Sequence, residues 1–146
     1  MNDLTLSVCK TINASIEDVF DAWLNPALLA KFILPMPGMP QPKVENEPEQ
    51  GGRFTIIMQV GDNKIPHTGQ YLEMNRPHKL VFSWNSPCSI DGSTVTINFS
   101  VVDSCTTKVE LTHVKFVDEE ARTNHEGGWT NILDVLNETL SVQVTA

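Results

Sequence analysis

The stretch that most constrains this chain lies near its C-terminus, from His125 through Gly127-Gly128-Trp129 to Leu140. Trp129, Ile132, Leu133, Leu136 and Leu140 recur at helical spacing, and Thr130, Asn131, Asp134, Asn137, Glu138 and Ser141 fall between them. That is one apolar stripe on an otherwise polar helix. From Trp129 to Ser141 such a helix runs ~20 Å, about the length of a six-residue strand. A lone amphipathic helix of this size is marginal in water, so it must lie on a hydrophobic surface. Gly127-Gly128 has two readings. It marks a break before Trp129, or it lets helix and sheet approach closely where no side chain intervenes.

The preceding chain supplies the surface. Leu4, Leu6 and Val8 alternate with Thr5, Ser7 and Cys9 in a first strand with one buried face. Ser15 with Asp18 resembles a capping box, and Val19, Phe20, Trp23 and Leu24 follow at helical spacing. Asn25-Pro26 restarts the pattern with an N-cap and a first-turn proline, leading through Leu28 and Leu29 to Phe32. Residues 33–50 then hold Pro35, Pro37, Pro40, Pro42 and Pro48 together with Met36 and Met39. Proline cannot donate to a ladder, so this is an extended loop with an irregular edge strand near Lys43-Val44-Glu45. Its flexible methionines suit the rim of an apolar pocket.

From Gly51 the pattern is antiparallel. Phe54, Ile56, Met58 and Val60 alternate with Thr55, Ile57 and Gln59, and Gly61-Asp62-Asn63 turns the chain. A strand over about 65–74 passes through His67, Tyr71 and Glu73, and Asn75-Arg76-Pro77 turns again. Leu80, Phe82 and Trp84 form the next strand, and a longer connection runs between Ser86-Pro87 and Asp91-Gly92. Val95, Ile97, Phe99 and Val101 share one face of a strand, as do Thr107, Val109, Leu111 and His113 of the last. Strands with one wet and one dry face need a common cover, and only the C-terminal helix is long enough. The expected fold is α+β: a strongly curved antiparallel sheet wrapped around a long C-terminal helix, with two short helices after the first strand, as one domain over 1–146. Where sheet and helix fail to touch, a gap remains for a ligand.

A formal charge of −8 argues against nucleic acid or an anionic membrane surface, both of which need a basic face. Cys9, Cys88 and Cys105 are odd in number and far apart, as in a cytoplasmic protein with reduced thiols. Neither a leader pattern nor a run of 18 apolar residues is present, so no membrane span is expected. The N-x-S/T tripeptides at Asn13, Asn98 and Asn137 read as chance matches, because the last two fall inside a strand and a helix.

No nucleophile elbow, dinucleotide fingerprint, phosphate loop or H-E-x-x-H is present, and the four histidines lack metal-ligand spacing. The expectation is no cofactor, no metal and no assigned catalytic residue. His113, on a face with Val109 and Leu111, is a satisfied core histidine or a hydrogen-bonding group aimed into a cavity. Tyr71 and His67 share a parity and have a similar claim, whereas Glu73 reads as a solvated strand end. Trp23, Trp84 and Trp129 are core, cavity wall or both.

Four local patterns carry a resemblance. Asn13 to Trp23 followed by Asn25-Pro26 resembles the first helix of the heat-shock protein 90 ATPase activator homologue-like branch of the SRPBCC (START and birch-pollen-allergen-like) superfamily. Gly51-Gly52-Arg53-Phe54 resembles its Gly-Gly strand start, and Pro77 to Trp84 its P-x-x-L-V-F-x-W strand. Thr107 to His113 with Gly128-Trp129 resembles its final strand and last helix. One departure is Phe32-Ile33-Leu34-Pro35, where the family often carries tryptophans.

The resemblance implies a helix-grip fold that binds a small hydrophobic or amphipathic molecule between sheet and helix, as a monomer or homodimer. The residues expected to line that site come from every layer. Trp23 and Phe32 belong to the short helices, and Met36 and Met39 to the proline-rich loop. Phe54, Ile56, Met58, Tyr71, Phe82, Trp84, Ile97, Phe99 and His113 belong to the sheet, and Trp129 and Leu133 to the long helix. Two alternatives stand beside it: a cofactor-free cyclase- or hydrolase-type enzyme using His113 or Tyr71 as acid or base, and a co-chaperone-like protein–protein module. Such folds host all three.

Overall fold

Two polar side chains set the entry to the sheet. The Ser15 hydroxyl accepts from the backbone N–H of Asp18 at 3.3 Å and starts α1 (Ile16–Ala22). Asn25 Oδ1 accepts from the N–H groups of Ala27 and Leu28 at 2.9 and 3.2 Å and starts α2 (Pro26–Phe32). Both are N-caps that satisfy donors a helix leaves open. A computed structural model describes residues 4–34, 40–85 and 89–144, the side chains of 60, 89–91 and 141–144 excepted.

The strands are β1 (Thr5–Ile12), β2 (Lys43–Asn46), β3 (Arg53–Val60), β4 (Asn63–Asn75), β5 (Lys79–Ser83), β6 (Ser89–Asp103) and β7 (Thr106–Phe116). They form one antiparallel sheet in the order β1-β7-β6-β5-β4-β3-β2. α3 (Glu119–Val144) closes the chain against it. The short strand near Lys43, flanked by Pro42 and Pro48, is an edge of the sheet. Among the described residues no helix is long and apolar enough to cross a membrane.

Trp129, Ile132, Leu133, Leu136 and Leu140 of α3 are all buried, as are Thr107, Val109, Leu111 and His113 of β7. Each large apolar side chain taken from water contributes roughly 1.5–3 kcal/mol. The stripe on α3 and the dry face of the sheet therefore hold each other.

Four expectations need correction. α3 starts at Glu119 rather than Trp129, because Asp118 Oδ1 accepts from Ala121 N–H at 2.8 Å and Glu119 and Glu120 fill the first turn. That cap and the acids suit the positive end of the helix dipole, so Gly127-Gly128 lies inside the helix and breaks nothing. Asp91-Gly92 lies within β6, at a bulge between Ser89 and Thr94 where Gly92 has φ 86°, and does not end a loop. Val101 is exposed together with Val102, at the register shift between Val101 and Asp103 that precedes the turn. Asn137 is not merely solvated, because its Oδ1 accepts the Asn13 N–H at 2.9 Å and ties α3 to the end of β1.

Candidate functional site

His113 sits where alternation along β7 fails. Lys115 has φ 70°, an uncommon conformation for a residue with a side chain. The chain shifts phase there, so Phe116 is buried alongside His113 with ring centroids 4.4 Å apart. The Trp129 indole N–H donates to His113 Nδ1 at 3.0 Å. An indole only donates, so Nδ1 is bare, and the proton on Nε2 is given to Ser93 Oγ at 2.7 Å. Burial first, and then the charge His125 can carry, push the His113 pKa down to about 3. Both nitrogens are committed and the ring stays neutral. His113 is a satisfied core histidine.

The open space lies one step away. A cavity of ≈ 200 Å³ is lined by Met58 of β3, His67 of β4, Trp84 just after β5, and Asn124, His125, Gly128, Trp129 and Ile132 of α3. Its wall is mostly apolar, and half-buried His67 and His125 with exposed Asn124 mark its mouth. His67 Nδ1 faces the Ile65 carbonyl at 3.2 Å, and His125 Nδ1 the Ala121 carbonyl at 2.7 Å. A carbonyl only accepts, so Nδ1 carries the hydrogen in each ring, and in the neutral form Nε2 has the lone pair. Burial lowers the His67 pKa, against a smaller opposing pull from the Ile65 carbonyl.

Trp84 forms the back wall, its ring 5.1 Å from Trp129 and 5.1 Å from His67. Behind it a second void of ≈ 20 Å³ is lined by Trp23, Leu29, Ile33, Phe54, Ile56, Tyr71, Phe82 and Trp84. Tyr71 borders this void and not the larger cavity. Its hydroxyl accepts from Asn46 Nδ2 at 3.1 Å, and burial raises its pKa against that bond. Among the described residues no group of three or more His, Cys, Asp or Glu stands close enough to hold a metal ion.

With this geometry, the family model for "Activator of Hsp90 ATPase homolog 1-like protein" matches residues 13–141. The chain belongs to that family. The AHSA1-like protein from Aeromonas hydrophila is similar in structure at 22% identity and a TM-score of 0.81, covering 98% of this chain and 96% of that one. A protein from Rhizobium leguminosarum is similar at 19% identity and a TM-score of 0.80, covering 95% of each chain. A protein from Cytophaga hutchinsonii matches at 24% identity and a TM-score of 0.76, covering 100% and 99%. No curated protein matches the chain in sequence. Likeness at these identities establishes the helix-grip fold and carries no activity with it.

Within this activator homologue-like domain, the residues expected to contact a ligand separate into groups. Met58, Trp84 and Trp129 line the larger cavity. Trp23, Phe54, Ile56, Tyr71 and Phe82 line the small void, which Trp84 also borders. Phe32, Ile97, Phe99, Leu133 and His113 are buried and line neither. Met36 and Met39, and with them the loop-rim expectation, lie outside the described residues.

The lining residues that sequence reasoning misses are Asn124, His125, Gly128 and Ile132, together with His67, whose only sequence signal is its parity with Tyr71. His125, Gly128, Trp129 and Ile132 are spaced three, four and seven apart, the signature of one helical face. That signal was hidden because the helix was started too late.

Proposed function

We propose that the domain binds a compact, mostly apolar molecule in the cavity between sheet and α3. The observation carrying this reading is the ≈ 200 Å³ space walled by Met58, Trp84, Trp129 and Ile132, with polar groups gathered only at its mouth. Ligand sites have that composition: apolar walls for affinity and a few polar groups for orientation. The volume is below the range usual for drug-sized ligands, so the occupant is small. Native mass spectrometry of protein purified from its own cells should show a bound mass. Ile132→Trp, which fills the cavity, should abolish it while the far-ultraviolet circular dichroism stays unchanged. A bound mass that survives Ile132→Trp refutes the assignment.

A catalytic reading is favoured by one observation, that two imidazoles with bare Nε2 atoms share this wall. It would rest on His67 and His125 rather than on His113 or Tyr71. Proton exchange next to the carbonyl of a bound ketone, followed by NMR in D2O, should then be lost in both His67→Gln and His125→Gln.

A further inference from the structure

The nitrogen-bearing side chains around the larger cavity divide by what their polar atoms already do. The Trp129 indole N–H is committed to His113, and the Trp84 indole nitrogen is sealed within the packing. That leaves His67, His125 and the exposed Asn124. The hydrogen-bond partners of the His67 ring are the carbonyls of Ile65 and Ile56, and that of the His125 ring is the carbonyl of Ala121. Carbonyls only accept, so none of them gives a hydrogen to Nε2 of either ring. Among the described residues, the buried side-chain polar atoms without a partner are Nε1 of Trp23, Nε1 of Trp84, Oδ1 of Asn46 and Nε of Arg122. Neither imidazole Nε2 is one of these four, so both have accessible surface. The cavity therefore carries two acceptors on one wall, each ring held in place through its Nδ1.

The Asn124 amide holds a donor and an acceptor and serves either kind of ligand. A neutral imidazole bonded at Nδ1 offers only a lone pair. Solvent water gives that lone pair a hydrogen while the mouth is wet. A ligand that displaces the water must return a hydrogen or leave a desolvated acceptor unpaired, which is the costly outcome. An anion would need an imidazolium instead, since no lysine or arginine lines the wall. Burial opposes that charge on His67. Size narrows the class again. An apolar cavity of about 150 Å³ accepts benzene, and this one measures ≈ 200 Å³.

Resting on the reading of the cavity as a ligand site, we propose that its ligand is a neutral molecule of one or two rings bearing a hydroxyl or N–H group, selected by the bare Nε2 atoms of His67 and His125. The hydrogen is shared and not abstracted, so this role is recognition and needs no reaction. The two imidazoles are thereby the residues that separate such a molecule from an ether or a hydrocarbon of similar shape.

Calorimetric titration of the purified chain near neutral pH with 5-indanol, 5-methylindane, 5-methoxyindane and indane-5-carboxylate separates these cases. Wild type should prefer 5-indanol to 5-methylindane, which matches its shape, and to 5-methoxyindane, which keeps the oxygen and lacks the hydrogen. That preference should fall about five- to tenfold in His67→Phe or in His125→Phe, the equivalent of one hydrogen bond. In wild type labelled with ¹⁵N-histidine, the Nε2 signal of His67 or His125 should move upfield with 5-indanol and not with 5-methoxyindane, a readout that needs no variant to fold. A preference unchanged in both variants, or Nε2 signals indifferent to 5-indanol, overturns the proposal. Equal binding of 5-indanol and 5-methylindane by wild type overturns it too, while leaving the cavity a ligand site. Tightest binding by the carboxylate overturns the neutral class. Failure of all four compounds to bind wild type overturns the ligand cavity itself.

Discussion

Acidification should destabilise this protein well before its carboxylates titrate, because His113 cannot take up a proton while folded. Its pKa moves from 6.5 to about 3 on folding, so between those values unfolding binds one proton that the native state refuses. Stability then falls as pH falls, by about 1.4 kcal/mol per unit. Integrated from about pH 7.5 to about pH 5, His113 alone removes about 2 kcal/mol, a large fraction of a typical domain's stability. The loss levels off only near pH 3, where the folded form protonates too. His67 adds to it with the same sign, since its folded pKa is also lowered. Asp21 acts in the same sense but at lower pH: hydrogen-bonded to Arg76 at 2.8 Å, its carboxyl is held below the usual 3.8. Its contribution is present above that value and disappears only at lower pH, outside the window.

The assay is urea denaturation at several pH values for wild type and His113→Gln. Glutamine still accepts from Trp129 and donates to Ser93, but it does not titrate. The variant should start lower at neutral pH, from imperfect packing, and lose stability with a slope shallower by about one proton. Parallel slopes for the two proteins would refute the buried, neutral assignment of His113.

Three further outcomes follow from burial and backbone. Leu136 is fully buried on α3, so Leu136→Ala should cost about 2–5 kcal/mol in urea denaturation, against less than about 0.5 kcal/mol for exposed Glu138→Ala. A methyl group on Gly127 meets nothing within 4 Å, so Gly127→Ala should raise stability by about 0.5–1 kcal/mol, read as a higher melting temperature. Cys9 and Cys105 are free and exposed and should react with a thiol reagent in the folded protein, whereas three groups should react after unfolding without reductant.

The sheet and its cover were legible because each is a periodic signal within one stretch of chain. The β7 alternation from Thr107 to His113 and the stripe from Trp129 to Leu140 name their own buried faces. The cavity was not legible, because it is a gap between elements far apart in sequence. His67 on β4 has a claim from strand parity alone and His125 on α3 has none, and only packing brings them to one mouth. The late start assigned to α3 is a propensity error. Two adjacent glycines disfavour a helix by roughly 1 kcal/mol each, but a 26-residue helix capped at Asp118 and packed on the sheet overrides them.

The choice of His113 rather than His67 as a site residue has a deeper cause. Sequence pattern shows which side chains face inward; it does not show which inward-facing polar groups remain unpaired. Trp129 and Trp84 stand with rings 5.1 Å apart, both almost wholly buried, yet one indole N–H is bonded to His113 and the other to nothing. The relay Trp129–His113–Ser93 exists because Lys115 and Gly92, both at positive φ, interrupt the regular run of β7 and β6 beside it. A non-glycine residue in that conformation costs about 1 kcal/mol or more, and the closed relay offsets it. Polar groups that complete one another in this way belong to the fold, and their removal should show in stability. The donor left unpaired beside them closes no such bond and adds nothing to stability.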